Sequence, residues 1–320
     1  MTDPTAEIER LLLGGPRRYT RVEVARLAGV PLEGASELWR ALGFADTADD
    51  EVVFTDADLA TVTLADSLVR DGLVDERARV AIARMMGQSM SRLAEWQVQL
   101  LVDLLGSNAT AAPDLAARLL PAVEQIQGYV WRRHLVGHAA RALGVPGNEE
   151  LVVGFADIVG FTALSRRLSE PELADLLDGF EAAAAEVVAR HGGRIVKLLG
   201  DEVMYVADSP VAGTDIALDL LGGDLPLRAG IAFGRVLARY GDVYGPVVNL
   251  AARLTGVARP GTVLADRELA AALGGDQRYR IRQLRPVSVR GYPRLRPSAI
   301  SRAPAPAAGP AADPAPAPTA

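Results

Sequence analysis

Asp157 closes the apolar run LVVGFAD, and Asp201 opens the turn that follows GRIVKLL. Two carboxylates converging at strand ends suit a pair of hard divalent cations about 3.5–4 Å apart, a recurrent device for in-line phosphoryl chemistry. Two Mg2+ ions, or Mn2+ in their place, are expected. After Asp157 the segment Ile158-Val159-Gly160-Phe161-Thr162 turns into a helix, whose free amides and positive dipole end can hold a triphosphate. Lys197 lies four residues before Asp201. In GDVYGPVVNLAARLTGVARPG, Asp242 precedes Asn249 by seven residues, and Asn249 and Arg253 stand at i and i+4 on one helix. Lysine as donor and aspartate as acceptor match adenine, which presents N1 as acceptor and the N6 amino group as donor. Guanine inverts both polarities and leaves both side chains mismatched, and buried unsatisfied polar groups are a strong source of discrimination.

Composition sharpens the weight on Lys197. Of 34 basic residues, 33 are arginine and this is the one lysine. A chain that otherwise uses arginine for positive charge keeps a compact ammonium where one is needed. There is no cysteine and there are three histidines, so disulfides, thiolate sites and a multi-histidine zinc site are excluded or disfavoured. Net charge is −6, so no bulk positive field draws the molecule onto nucleic acid or anionic lipid. With no signal-like start and no long uninterrupted apolar window, a cytoplasmic protein without a membrane span is expected.

The positioning elements follow from periodicity. Strand 151–157, a helix over 163–190, a hairpin of strands 193–199 and 202–207, helix 210–221, strand 227–234, helix 246–256, strand 261–265, helix 266–273 and a final strand pair near 278–290 are predicted. This β-α-β-β-α-β order is that of a split βαβ, ferredoxin-like sheet with additions. Its first strand lies antiparallel beside its third, which is why Asp157 and Asp201 are expected to converge.

Residues 1–145 read as all-helical. The segment YTRVEVARLAGVPLEGASELWRALGF resembles a helix-turn-helix of the mercury-resistance-regulator type. Its second helix carries two glutamates and one arginine, so a packing module is favoured and no nucleic-acid partner is expected. Two longer helices follow, over 75–105 and 114–144, separated by GSNATAAP; Pro121 either kinks the second or marks its start. Leu119, Val123, Ile126 and Val130 recur at 4-3-4 spacing, a short seam suited to core packing or to pairing two protomers. His134 and His138 share a face of that helix and read either as solvated histidines or as a pH-responsive pair. Residues 301–320, with 6 Pro and 9 Ala, read as a disordered tail.

The segments FADIVGFTALS, VKLLGDEVM and GDVYGPVVNLAAR resemble the class III nucleotidyl cyclases, over essentially all of residues 148–300. The resemblance implies an α+β, ferredoxin-like catalytic domain at 148–300, preceded by an all-α regulatory domain at 1–145. It implies that Asp157, Ile158 and Asp201 hold metal and that Lys197 and Asp242 select adenine. Asn249 would orient the ribose and Arg253 would stabilise the transition state. Gly160, Phe161 and Thr162, and Arg290 in VSVRGYP, fall at substrate-binding positions; Arg290 stands where a phosphate-binding lysine is common, and Arg239 is a candidate for a further triphosphate arginine. The pairing of Lys197 with Asp242 implies an adenylate cyclase that converts ATP to cyclic AMP and pyrophosphate as a homodimer. The helical N-terminus further resembles the actinobacterial, autoinhibited, pH-responsive members. A diguanylate cyclase shares the turn Gly200-Asp201-Glu202 but has no use for Asn249 with Arg253.

Overall fold

The computed structural model describes residues 4–105, 112–144, 150–239 and 241–304. The chain divides into two compact units, Met1–Gly144 and Val145–Ala320.

The first unit is helical: α1 (Pro4–Leu12), α2 (Arg21–Ala28), α3 (Leu32–Leu42), α4 (Asp56–Arg70), α5 (Glu76–Leu105) and α6 (Ala112–Gly144). Helix α2 starts at a capping box in which Thr20 and Glu23 satisfy each other's backbone amides. The core gathers Val24, Leu38, Trp39, Phe54, Val62 and Ala83, with the Trp39 and Phe54 rings stacked at 4.3 Å. Helix α6 begins upstream of Pro121, which therefore sits inside the helix and does not mark its start. Leu119, Ile126 and Val130 of the 4-3-4 seam are exposed and stand outside the core. His134 and His138 are both exposed.

The second unit is built on a seven-stranded sheet of order β2-β3-β1-β4-β7-β11-β8. Its strands are β1 (Glu150–Ile158), β2 (Arg194–Leu198), β3 (Glu202–Ala207), β4 (Leu227–Arg235), β7 (Val263–Ala265), β8 (Tyr279–Gln283) and β11 (Ser298–Arg302). Two ribbons stand off the sheet, β5 (Leu237–Arg239) with β6 (Asp242–Tyr244), and β9 (Val287–Val289) with β10 (Tyr292–Leu295). As the ferredoxin-like topology requires, β1 is antiparallel to β3 on one side and to β4 on the other.

Three expectations are corrected. The helix expected over 163–190 is two helices, α7 (Phe161–Ser165) and α8 (Glu170–Arg190), because Ser169 and Glu172 form a capping box that starts a new helix. The final strand pair is four strands, with the β9–β10 ribbon inserted before β11. Ser301 and Arg302, placed in a disordered tail, belong to β11, where Arg302 clamps Asp215 and Asp219 of α9 (Pro210–Leu221). The rest of that expected tail, from residue 305, lies outside the described residues, as do residues 106–111 between the two long helices.

The sheet's two faces are covered differently, and this positions the site. One face carries Val152, Ala156, Tyr205 and Ile231, packed against Phe180, Ala184 and Val188 of α8, Ile216 and Leu220 of α9, and Leu269 of α11 (Arg267–Ala272). The other carries Val153, Phe155, Met204 and Val206, packed against Ala251 of α10 (Pro246–Val257) and Val243 of β6. Burying such apolar faces supplies most of a domain's stability, at about 25 cal/mol per Å². Helix α10 is drawn down onto β4 because position 230 is glycine: a Cβ there would meet the Thr255 amide nitrogen at 2.2 Å.

Candidate active site

Side chains alternate across a strand, so in β1 the even positions 152, 156 and 158 face α8 and α9, and Asp157 faces the α10 side. Cross-strand pairing puts Asp157 opposite Glu202 of β3 and opposite Arg228 of β4. The Ile158 amide donates to the Asp201 carbonyl at 2.9 Å, which ties the start of the β3 hairpin to the end of β1. The convergence of Asp157 and Asp201 expected from topology is therefore realised, close enough for the Asp157 charge to act on the Asp201 carboxyl. Ile158 itself is 1 % exposed, and as its aliphatic side chain has no donor atom, any metal contact it made would be through its backbone carbonyl.

Arg228 is the residue at this site that sequence reading missed. Its Nε donates to Asp157 Oδ2 at 2.9 Å, and its Nη1 reaches the carbonyl of Gly256 near the end of α10 at 3.4 Å. The carboxylate pair is thus neutralised in part and linked to the helix that carries Asn249 and Arg253. Arg239, a candidate triphosphate arginine, lies in the β5–β6 ribbon, in register with Asp242 across it.

The local electrostatics favour cation binding. Burial pushes the Asp201 carboxyl above the ordinary range, reinforced by the Asp157 charge. Glu202 is pushed up to about 7, first by burial and then by the charges of Asp157 and Asp201, with Arg228 opposing. A carboxyl whose folded pKa is raised favours the fold below its unfolded value of 4.5 and loses that contribution as pH rises through about 7. In metal-free protein, Glu202→Gln is therefore expected to raise the melting temperature at pH 8 and leave it unchanged at pH 4. A scan of both proteins at the two pH values checks this; equal melting temperatures at pH 8 contradict it.

The donor set fits a pair of divalent cations shared with a phosphate ligand. Among the described residues no three His, Cys, Asp or Glu side chains form a metal cage. Two carboxylates leave most positions of an octahedral cation to water and phosphate oxygens, which is how Mg2+ is commonly held.

Lys197 and Asp242 also meet. The Lys197 Nζ is 2.6 Å from Asp242 Oδ2. A register shift between Ile195 and Lys197 re-aims β2, pairing Lys197 with Met204 on the α10 side of the sheet. Burial of Asp242 works against its charge, but hydrogen bonds from Lys197, the Val243 amide and Tyr244 outweigh it and hold the carboxyl below the ordinary range. A donor and an acceptor thus stand side by side at one edge.

Asn249 and Arg253 are exposed on α10, one turn apart on the helix whose opposite side buries Ala251, Leu254 and Thr255. Gly160, at φ 74°, is the left-handed cap of α7, a conformation glycine adopts without strain. Thr162 is exposed beside it, but Phe161 packs against the main core and acts as an anchor for the turn. Arg290 is exposed at the tip of the β9–β10 ribbon, which Tyr292 ties to the Pro246 carbonyl at the start of α10. Among the described residues, no hydrogen bond or ion pair joins the Asp157–Asp201 group to the Lys197–Asp242 pair.

The second unit thus carries a carboxylate pair at the end of β1, a lysine–aspartate pair on the same sheet face and an asparagine–arginine pair on α10. Residues 145–300 match the adenylate and guanylate cyclase catalytic domain, and the chain belongs to that family, the class III nucleotidyl cyclases. It falls among their actinobacterial adenylate cyclases. It is 40% identical to an adenylate cyclase of Glutamicibacter nicotianae over 93% of this chain and 82% of that one. It is 44% identical to an adenylate cyclase of Streptomyces coelicolor over 85% and 76%. With a pH-sensitive adenylate cyclase of Mycobacterium tuberculosis it shares 31% identity over 83% and 72%. No helix among the described residues is long and apolar enough to cross a membrane.

Proposed function

We propose that this adenylate cyclase converts ATP to 3′,5′-cyclic AMP and pyrophosphate with two divalent cations, in sites shared between two copies of the chain. In each site one copy gives Asp157, the Ile158 carbonyl, Asp201 and the Gly160–Thr162 turn, and its partner gives Lys197, Asp242, Asn249 and Arg253. The observation that carries this reading is the separation within one chain: two groups on one sheet face, each internally paired and sharing no bond. Exposed apolar side chains near them, Leu198, Leu199, Leu237, Tyr244 and Val257, suit burial by a second copy.

Divalent cations held by Asp157 and Asp201 would supply a lowered pKa for the ribose 3′-hydroxyl and charge neutralisation for the leaving pyrophosphate. Asp157 and Asp201 fix where they sit, with Arg228 holding the Asp157 carboxylate in its rotamer. Lys197 donates to adenine N1 and Asp242 accepts from the N6 amino group. Asn249 orients the ribose so that its hydroxyl lies in line with the α-phosphorus, and Arg253 faces the charge that develops on the α-phosphoryl oxygens. Arg290 and the Gly160–Thr162 turn face the outer phosphates.

Inverting the base-reading pair tests the assignment. Lys197→Glu with Asp242→Asn presents an acceptor to guanine N1–H and a donor to O6. The preference for ATP over GTP, measured as the ratio of kcat/KM values, is expected to fall by about a hundredfold or more. An unchanged ratio contradicts the assignment.

The N-terminal unit is the regulatory element in this reading. A site formed between copies is switched by displacing one copy against the other, and the exposed seam of α6 is suited to pairing that unit with its counterpart. Held in an autoinhibited register, it restrains the catalytic unit. The fragment 148–320 is then expected to be at least as active as the full chain; a clear loss on truncation would point to activation instead.

A further inference from the structure

The helical unit carries a cavity of about 680 Å³ where the end of α3 abuts α5, a place the cyclase reaction does not use. Gly87 permits this close approach, because a Cβ there would meet the Leu42 carbonyl oxygen at 2.2 Å. Arg84, Gln88, Ser91 and Arg92 fall at i, i+4, i+7 and i+8 of α5, so they share the helix face that walls the cavity. Arg40 enters from α3.

All three arginines are exposed, and no acidic side chain lines the cavity. In a chain of net charge −6 this is a local reversal of sign. Among the described residues neither Arg84 nor Arg92 has a hydrogen bond or an ion pair, and Glu95 and Glu37, each one turn from an arginine of the set, pair with none of them. Arg40 faces Asp46 at 3.9 Å with both side chains more than half exposed, a contact of little worth. Gathering uncompensated cations around one concavity costs like-charge repulsion, which a bound anion relieves.

The lining also sets the kind of anion. Guanidinium forks match phosphate oxygens two at a time. Eight residues of helix separate Arg84 from Arg92 by about 12 Å, more than a single phosphate covers. Gln88 and Ser91 add neutral donors between them. Small residues complete the wall, Ala41, Gly43 and Gly87, with no ring to stack a nucleobase and no long apolar side chain to take an acyl chain.

We propose that this cavity is a binding site for a short chain of linked phosphates, of triphosphate size, held by Arg84 and Arg92 of α5 and Arg40 of α3.

The test is calorimetric titration of the full-length protein with inorganic tripolyphosphate and, separately, orthophosphate, in excess chelator and about 0.15 M salt, where the Debye length is about 8 Å. The chelator removes divalent cations, so cation-dependent phosphate binding in the catalytic unit is silent. Tripolyphosphate is expected to bind saturably, one per chain, and at least about tenfold more tightly than orthophosphate. Arg84→Gln and Arg92→Gln, both at exposed helix positions that leave the fold intact, should each weaken it about tenfold. Arg77→Gln removes an exposed arginine from the same helix but outside the cavity, and should leave the affinity within about twofold of wild type, which separates a defined site from general charge attraction. The proposal is overturned by absence of saturable binding, by orthophosphate binding as tightly, by wild-type affinity in Arg84→Gln and Arg92→Gln, or by an equal loss in Arg77→Gln. Binding that survives at Arg84 and Arg92 but is lost in Arg290→Gln would place the phosphates in the catalytic unit and overturn it too.

Discussion

Asp157→Ala is expected to lower cyclic AMP formation roughly a thousandfold, equivalent to about 4 kcal/mol of transition-state stabilisation. Three observations give it the largest effect of any single substitution. Asp157 projects from β1, an interior strand of the sheet flanked by β3 and β4, toward the α10 side, beside Asp201 and Glu202. It is the carboxylate that Arg228 grips, so its loss also frees a guanidinium directly beside the proposed metal position. The remaining carboxyl, Asp201, is held above its ordinary pKa by burial and is a poor ligand alone. Asp157→Asn separates charge from shape: it keeps the cross-strand packing, so an equally inactive but normally folded protein assigns the loss to chemistry. Raising Mg2+ or Mn2+ a hundredfold should recover part of the rate in the asparagine variant if the defect is in metal affinity. Near-normal turnover by Asp157→Ala at ordinary metal concentration contradicts the role.

Arg253→Ala carries the second largest effect, about a hundredfold in kcat with KM for ATP changed by no more than about twofold. The side chain is exposed on α10, one turn beyond Asn249, and Leu254 and Thr255 beside it are buried. Removing an exposed side chain from this helix does not disturb the packing of α10 on β4, so the variant should melt with the wild type. A guanidinium that meets charge only as it develops on the phosphoryl oxygens stabilises the transition state and leaves ground-state binding nearly untouched. Arg253→Lys should recover little, because a point charge does not reproduce the planar fork. A rise in KM matching the fall in kcat/KM, with kcat preserved, would make Arg253 a binding residue.

Much of this site is legible before any coordinates. The meeting of Asp157 and Asp201 follows from strand order alone, because a βαββ unit sets the end of its first strand against the start of its third. The tight turn at Gly200-Asp201 and the i, i+4 placement of Asn249 and Arg253 follow from local periodicity. Arg228 was hidden because a lone arginine in the strand LRAGIAFG carries no signal of its own; its meaning depends on β4 pairing with β1 in a register that sets it opposite Asp157. That the partly buried Phe161 ring packs against the core and anchors the turn is not legible in the motif; it needs the packing of α7. The break between α7 and α8 was visible in principle, since Ser169 with Glu172 is a helix start; the apolar periodicity running through Leu164 and Leu168 masked it. The β9–β10 ribbon escaped because two short strands flanking Gly291 bury little and leave almost no alternation to read.

The measurement that tests the account most directly is complementation between two inactive full-length variants. Asp157→Ala and Arg253→Ala lie in different halves of the shared site, so a mixed dimer retains one site in which both halves are intact. On random association, an equimolar mixture should recover cyclic AMP formation to about a quarter of wild type, while each variant alone stays near background. No recovery, in a mixture shown to exchange subunits, would contradict a site shared between two copies.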